Sequence, residues 1–296
     1  MGKRVSELKK RNRRRQEIAV LFMMPSLLGV FVFFILPFFV VIYYAFVDSP
    51  ITGNFVAFDN FIRVFGNAAF KLAGKNTLVF SFVSMPLAVI ISLILAAMLD
   101  RNIPFRSQFR TSFLTPMMVP VASVVLIVRV MFDFNGAVNN LLGGFGVAKI
   151  DWLKSDYAQV IIIFLFLWKN LGYNMILFLA ALESIPRDIL EVAHMENANV
   201  WQIFWMIKIR YLSPTILFVT ILSLINSFKV FREIYLLTDN YPYEPLYMMQ
   251  HFMNNAFGRL EYQKLSAGAI IMSLVMIVII GALFLVENHF GKDVEE

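Results

Sequence analysis

The stretch 183–214, ESIPRDILEVAHMENANVWQIFWMIKIRYLSP, is a polar segment placed between two strongly apolar ones. Ser184 can cap a helix whose first turn holds Pro186, because a proline there lacks only an N–H that would be unpaired anyway. Residues Arg187–Met195 then form two to three turns with charge on one side. We expect a bend after this helix and a second short helix at Val200–Ile207. The sequence therefore predicts a pair of short helices suited to docking on another protein.

The composition places the rest of the chain in a membrane. Hydrophobic residues make up 59% of the 296 positions, and the mean hydropathy of +0.71 exceeds what a soluble domain can bury. A crossing needs about 20 apolar residues in a helix, because lipid offers no partner for the backbone. Six segments meet this length: Ile18–Val47, Thr77–Leu99, Thr111–Phe132, Tyr157–Leu182, Thr215–Leu237 and Ser266–Val286. We expect the long first span to kink or tilt at Pro25 and Pro37.

Cationic residues outside the spans set the expected orientation. With the N-terminus inside, the cytoplasmic tails and loops hold 15 Lys and Arg residues and the outer loops hold 7. Eight of the 15 lie in the tail 1–17, where a run of cations next to a span keeps the tail in the cytoplasm rather than binding nucleic acid. Both termini and the stretch 183–214 are therefore predicted to be cytoplasmic.

Motifs for catalysis or metal binding are absent from the sequence. There is no phosphate-binding G-x-x-x-x-G-K-[ST] loop and no cysteine, so neither ATP binding by that device nor a thiolate metal site is expected. The three histidines, His194, His251 and His289, have no second ligand at metal-binding spacing. We predict no catalytic residue, no metal and no cofactor bound by this chain. A membrane-embedded enzyme or a receptor scaffold remains a less favoured alternative.

The polar stretch resembles the "EAA" cytoplasmic loop of bacterial ATP-binding-cassette importer permeases. The matching positions are Glu191, Ala193, Glu196, Ala198, Phe204, Ile207, Leu212 and Pro214. In that family the loop is a coupling helix inserted into an ATPase subunit, which implies coupling through Glu191, Ala193, Glu196, Asn197 and Ala198. Val192, Asn197 and Arg210 depart from the family pattern. Asn197 replaces a glycine, and asparagine tolerates the positive φ that a bend requires.

The resemblance extends over 18–286 and is closest to the carbohydrate-type permeases. It includes Arg106-Ser107, Trp168-Lys169 with Gly172, Phe228-Lys229-Val230-Phe231 and Leu265-Ser266-Ala267-Gly268-Ala269. A Gly-Gly-Pro expected after Leu237-Thr238 is replaced by Asp239-Asn240-Tyr241-Pro242. The resemblance implies a second homologous permease forming a heterodimer, two ATPase subunits holding ATP and magnesium, and an extracytoplasmic solute-binding protein.

Polar residues inside spans four and five are the candidate substrate pathway. Lys169, Asn170 and Tyr173 share one face of a helix, as do Ser223, Asn226 and Ser227, and Lys229 follows them. In maltose-type permeases the matching positions line the sugar site. The alternatives are that these groups only bridge helices, and that Lys169 and Lys229 form structural pairs with Glu233 or a backbone carbonyl. We expect Arg129 and Arg232, near the outer ends of spans, to extend to the interface.

The predicted protein is thus an all-α membrane protein with six transmembrane helices and a cytoplasmic EAA-type coupling-helix loop. Its parts are a basic tail at 1–17, a permease domain at 18–286 containing the coupling loop 183–214, and a C-terminal tail at 287–296. The expected function is ATP-driven import of a sugar or oligosaccharide across a bacterial cell membrane. An importer of an anionic solute, such as a glycerol phosphate or a modified sugar, is the alternative.

Overall fold

The structure, a computed structural model, describes residues 18–101 and 103–290. The basic tail predicted at 1–17 lies outside these residues, as does most of the C-terminal tail. In chain order the helices are α1 (Ile18–Phe46), α2 (Asp59–Gly66), α3 (Ala68–Leu99), α4 (Arg106–Met118), α5 (Val121–Met131), α6 (Ala137–Gly143), α7 (Ala158–Glu183), α8 (Arg187–Met195), α9 (Val200–Gln202), α10 (Ile209–Phe228), α11 (Phe231–Thr238), α12 (Met249–Gly258) and α13 (Tyr262–Phe290). Within the described residues there is no named strand, so the all-α prediction is confirmed.

Five helical stretches are long and apolar enough to cross a membrane, and α4 with α5 makes a sixth if that bent pair counts as one span. The two helices of the pair meet at 94°, so the span predicted at Thr111–Phe132 is not one straight helix. Pro120 has no N–H to donate, and it holds Val119 in an extended conformation with ψ at 130°. These two residues end α4 and start α5.

Two other span boundaries differ from the predicted ones because helices continue into polar sequence. Helix α3 begins at Ala68 rather than Thr77, where the Asn67 side chain accepts a hydrogen bond from the Phe70 N–H. The span predicted to start at Thr215 is already helical from Val200. In α1 the helix is continuous through a π-helical turn, Phe31–Ile35, just before Pro37. Such turns are a common response to a residue that cannot donate to the helical ladder.

The described residues fold as two compact units, of which the larger comprises 66–101, 103–259 and 273–290. Its core has two groups of buried apolar side chains along α3 and α7. One contains Phe80, Ile162 and Ile234, and the other contains Met175, Phe178 and Leu212. The smaller unit comprises residues 18–65 and 260–272. Within it, the buried Asn60 donates to the backbone carbonyls of Ala45 and Val47.

The backbones of helices α4 and α7 are in direct contact at Gly172. A Cβ built on Gly172 would lie 1.8 Å from the carbonyl oxygen of Phe113. No side chain fits in that space, so glycine is required for the two helices to pack as closely as they do.

Candidate functional site

The stretch 183–214 contains one free-standing helix rather than two. Helix α8 starts after Pro186, without a side-chain cap, so the prediction that Ser184 caps it is wrong. The Ser184 hydroxyl instead donates to the Ala181 carbonyl 2.8 Å away, at the end of α7. The predicted separate helix at Val200–Ile207 is also wrong, because α9 runs through a π-helical segment, Ile203–Lys208, directly into α10.

The bend after α8 has the geometry expected from the asparagine at that position. Asn197 has φ at 59°, and its N–H donates to the His194 carbonyl at 3.1 Å. The Ala198 N–H donates to the Ala193 carbonyl at 3.0 Å, which completes a Schellman motif. Asn199 then caps α9, accepting from the Gln202 N–H at 2.8 Å. The bend is therefore held by backbone hydrogen bonds at the end of α8 and by the Asn199 side-chain cap at the start of α9.

Both ends of the stretch are fastened by ion pairs that sequence reasoning did not identify. At one end, Arg106 contacts the Glu183 carboxylate at 2.7 Å, with Arg110 at 3.8 Å. At the other end, Lys208 contacts Asp100 at 2.5 Å. The available signal was the presence of opposite charges next to the ends of predicted spans. These pairs connect the two ends of the stretch, on either side of α8, to α4 and to the end of α3.

The predicted coupling residues fall into two groups. Glu191 and Glu196 are exposed, whereas Ala193 is 7% exposed and packs inward. Asn197 and Ala198 form the bend. Helix α8 therefore presents carboxylates to its surroundings while its inner face and its end are fixed.

A cavity of about 390 Å³ lies between α7 and the junction of α10 and α11. Its lining residues are Leu165, Phe166, Lys169, Asn170, Asn226, Lys229, Val230, Arg232, Glu233 and Gln250. The Lys169 ammonium contacts the Glu233 carboxylate at 2.5 Å, and these side chains are 20% and 9% exposed. Asn226 donates to the Asn170 side-chain oxygen at 3.0 Å. Amides and charged groups thus meet beside apolar residues, as in sites for small polar ligands.

Four of the seven predicted pathway residues line this cavity: Lys169, Asn170, Asn226 and Lys229. The other three do not belong to its lining. Ser223 accepts from the buried Asn174 amide at 2.9 Å, and Ser227 donates to the Ser81 hydroxyl at 2.8 Å, so both serines join helices. Tyr173 is 36% exposed.

Three polar lining residues had no predicted place in the pathway: Arg232, Glu233 and Gln250. Arg232 was expected to reach the interface but lies at the cavity. Glu233 is the partner proposed as one alternative for Lys169, and the structure contains that pair. Gln250 belongs to α12, outside the predicted spans, and carried no signal in the sequence.

His251, next to Gln250, is fully buried and adds no charge near the cavity at neutral pH. Its Nδ1 accepts from the Met248 N–H at 3.2 Å. Burial lowers its pKa to about 4, because the protonated ring would lose its hydration. The imidazole is therefore neutral in the physiological range.

Comparison with known proteins assigns the family. Residues 88–296 match the model of the binding-protein-dependent transport system inner membrane component. The chain belongs to this family. The lactose transport permease LacF of Rhizobium radiobacter is 34% identical over 74% of this permease and 75% of its own length. The trehalose/maltose permease MalF of Thermococcus litoralis is 27% identical over 95% and 96%.

A solved structure supports the fold of the permease. A chain of a bacterial importer of the acidic polysaccharide alginate aligns with a TM-score of 0.81 at 23% identity, covering 97% of this permease and 99% of that chain. The family makes the permease a membrane-embedded subunit of an ATP-binding-cassette importer that works with a solute-binding protein. It is a transporter subunit and not an enzyme, and the family has no cofactor of its own.

Proposed function

We propose that the permease forms half of a translocation pore for a sugar or oligosaccharide, together with a second, homologous permease. The observation that carries this proposal is the cavity beside Lys169 and Asn226, where amides and charged groups converge within the membrane-spanning helices. Amides can satisfy sugar hydroxyls. Relatives named for lactose and for trehalose/maltose transport support a carbohydrate cargo.

Two ATPase subunits, which hold ATP and magnesium, drive the cycle in this proposal. One of them binds the exposed face of α8, with Glu191 and Glu196 as acidic anchors that accept charge-assisted hydrogen bonds. Because ion pairs at Glu183 and Lys208 fasten this stretch to α3 and α4, a displacement of α8 reaches the membrane helices. Such a displacement would switch the cavity between outward and inward access.

Glu191→Lys tests this coupling. The variant should insert normally but lose most ATPase association and solute uptake, because a cation replaces the carboxylate on the docking face. Uptake of labelled lactose and maltose, and ATP hydrolysis stimulated by the binding protein, are measured in proteoliposomes holding the whole importer. Asp156→Lys makes the same charge change at an exposed outer-loop position, and it should leave solute uptake and stimulated ATP hydrolysis unchanged. Normal uptake by Glu191→Lys would remove this residue from the coupling surface.

We also propose that the permease lies in the bacterial cell membrane with both termini in the cytoplasm, as the distribution of Lys and Arg indicates. The chain lacks cysteine, so single cysteines report position without interference. A membrane-impermeant maleimide is added to cells whose outer layer has been removed and whose cell membrane is intact. It should label Asn140→Cys but neither Lys9→Cys nor Lys292→Cys. External labelling at position 9 would reverse the orientation.

A further inference from the structure

The cavity carries more positive than negative charge. Three cations line it, Lys169, Lys229 and Arg232, and Glu233 is the one carboxylate in its lining. Glu233 is already paired with Lys169. Among the described residues, no carboxylate lies within ion-pair distance of Lys229 or Arg232, and the neighbouring His251 is neutral at pH 7. The cavity thus has two positive charges without counter-charges from the fold.

The positions of these two cations are not explained by helix stability alone. Lys229 caps the C-terminus of α10, where a cation is favourable. Arg232 lies in the first turn of α11, where the aligned peptide dipoles are positive and a cation is unfavourable. Lys229 and Arg232 are three residues apart across the turn that joins the two helices, and both line the cavity. The negative end of α10 and the positive end of α11 meet at this turn, so the positive potential there comes from the two side chains.

We propose that Lys229 and Arg232 bind an anionic group of the cargo, a carboxylate or a phosphate carried by a sugar. This inference rests on the proposed import of carbohydrate and narrows the cargo to acidic members of that class. Asn170, Asn226 and Gln250 are within the same lining and contact the sugar hydroxyls. Lys229 and Arg232 are exposed, so a solute entering the cavity can reach both. An anion that gives up part of its hydration there gains contacts with these cations, whereas a neutral sugar needs none.

Direct binding to the whole importer tests the assignment. The permease, its partner permease and both ATPases are placed in nanodiscs without the binding protein. Four radiolabelled probes are used: digalacturonate, its dimethyl ester, glucose 6-phosphate and glucose. At least one anion should bind saturably and at least tenfold more tightly than its neutral counterpart, and the difference should shrink as salt rises. Comparison of the two anions shows whether the site takes a carboxylate or a phosphate.

Substitutions assign the effect to these two residues. Lys229→Gln and Arg232→Gln should each weaken binding of the anion at least tenfold and leave the neutral probe unchanged. Arg129→Gln removes an exposed cation from α5 that does not line the cavity, and it should bind the anion as the wild type does. The proposal would be overturned by any one of three results: each anion binds no more tightly than its neutral counterpart, neither anion binds saturably, or both cavity variants bind the anion as the wild type does.

The outcome for cargo charge is separable from the outcome for import. If the wild type drives ATP-dependent uptake of lactose or maltose but binds neither anion more tightly than its neutral counterpart, import stands and the anion assignment fails. If the reconstituted importer drives no uptake of any sugar, acidic or neutral, the proposed function fails. The equilibrium binding measurement depends on neither ATP hydrolysis nor the binding protein, so it can be interpreted in both cases.

Discussion

Gly172→Ala should prevent the permease from reaching its native packing. The added methyl carbon would lie 1.8 Å from the Phe113 carbonyl oxygen and 2.5 Å from its carbonyl carbon. Both atoms are backbone, so no rotamer change relieves the overlap, and α4 and α7 must separate. Overpacking of side chains that can adjust costs about 1–3 kcal/mol, and a rigid backbone contact should cost at least the upper end of that range.

The measurement is the melting temperature of the detergent-purified permease, followed by fluorescence-detected size exclusion after heating. Gly281→Ala is the matched control, because this glycine also lies in a long membrane helix but has no heavy atom within 4 Å of the added carbon. The control should melt like the wild type. A Gly172→Ala variant that melts with the control would mean that α4 and α7 are farther apart than described here.

Lys169→Met should be the more damaging of two substitutions that break the ion pair with Glu233. It leaves a carboxylate with a 9% exposed side chain without a counter-charge, and losing one partner of a buried pair costs about 3–5 kcal/mol. Glu233→Gln should cost less, because the Lys169 side chain is 20% exposed and its ammonium can turn towards the cavity. The double variant should regain most of the stability lost by Lys169→Met, since no unpaired charge remains.

The same melting assay measures all three variants. Arg63→Met supplies the control, because it breaks an exposed pair with Asp59, 4.0 Å apart, and exposed pairs contribute about 0–1 kcal/mol. Additive losses in the double variant would contradict a direct pair.

The ion pair also limits what a substitution of Lys169 can show about the cargo. Loss of uptake in Lys169→Met would follow from the broken pair, whatever the charge of the solute. Lys229 and Arg232 are therefore the residues that test the charge of the solute.

Local sequence features determined much of the architecture. Hydropathy identified the spans, because each helix must satisfy its own backbone in lipid and so needs a continuous apolar run. The proline at 120 is visible in the sequence, but the 94° angle between α4 and α5 is not. Asn197 was expected to take a positive φ, and it does, at 59°. Asp239 also has a positive φ, 59°, at the position where the resemblance expects glycine.

Only the tertiary structure decided which polar residues face each other. Ser223, Asn226 and Ser227 share a helical face, yet Asn226 lines the cavity while the serines are bonded to Asn174 and Ser81 on other helices. Lys169 and Glu233 are 64 residues apart, and Lys208 and Asp100 are 108 apart. Helical periodicity gives the face of the helix on which each residue lies. Which side chains pair across helices depends on how the helices are rotated and shifted against one another. That arrangement is set by close contacts such as the one at Gly172, where the absence of a side chain lets two backbones meet.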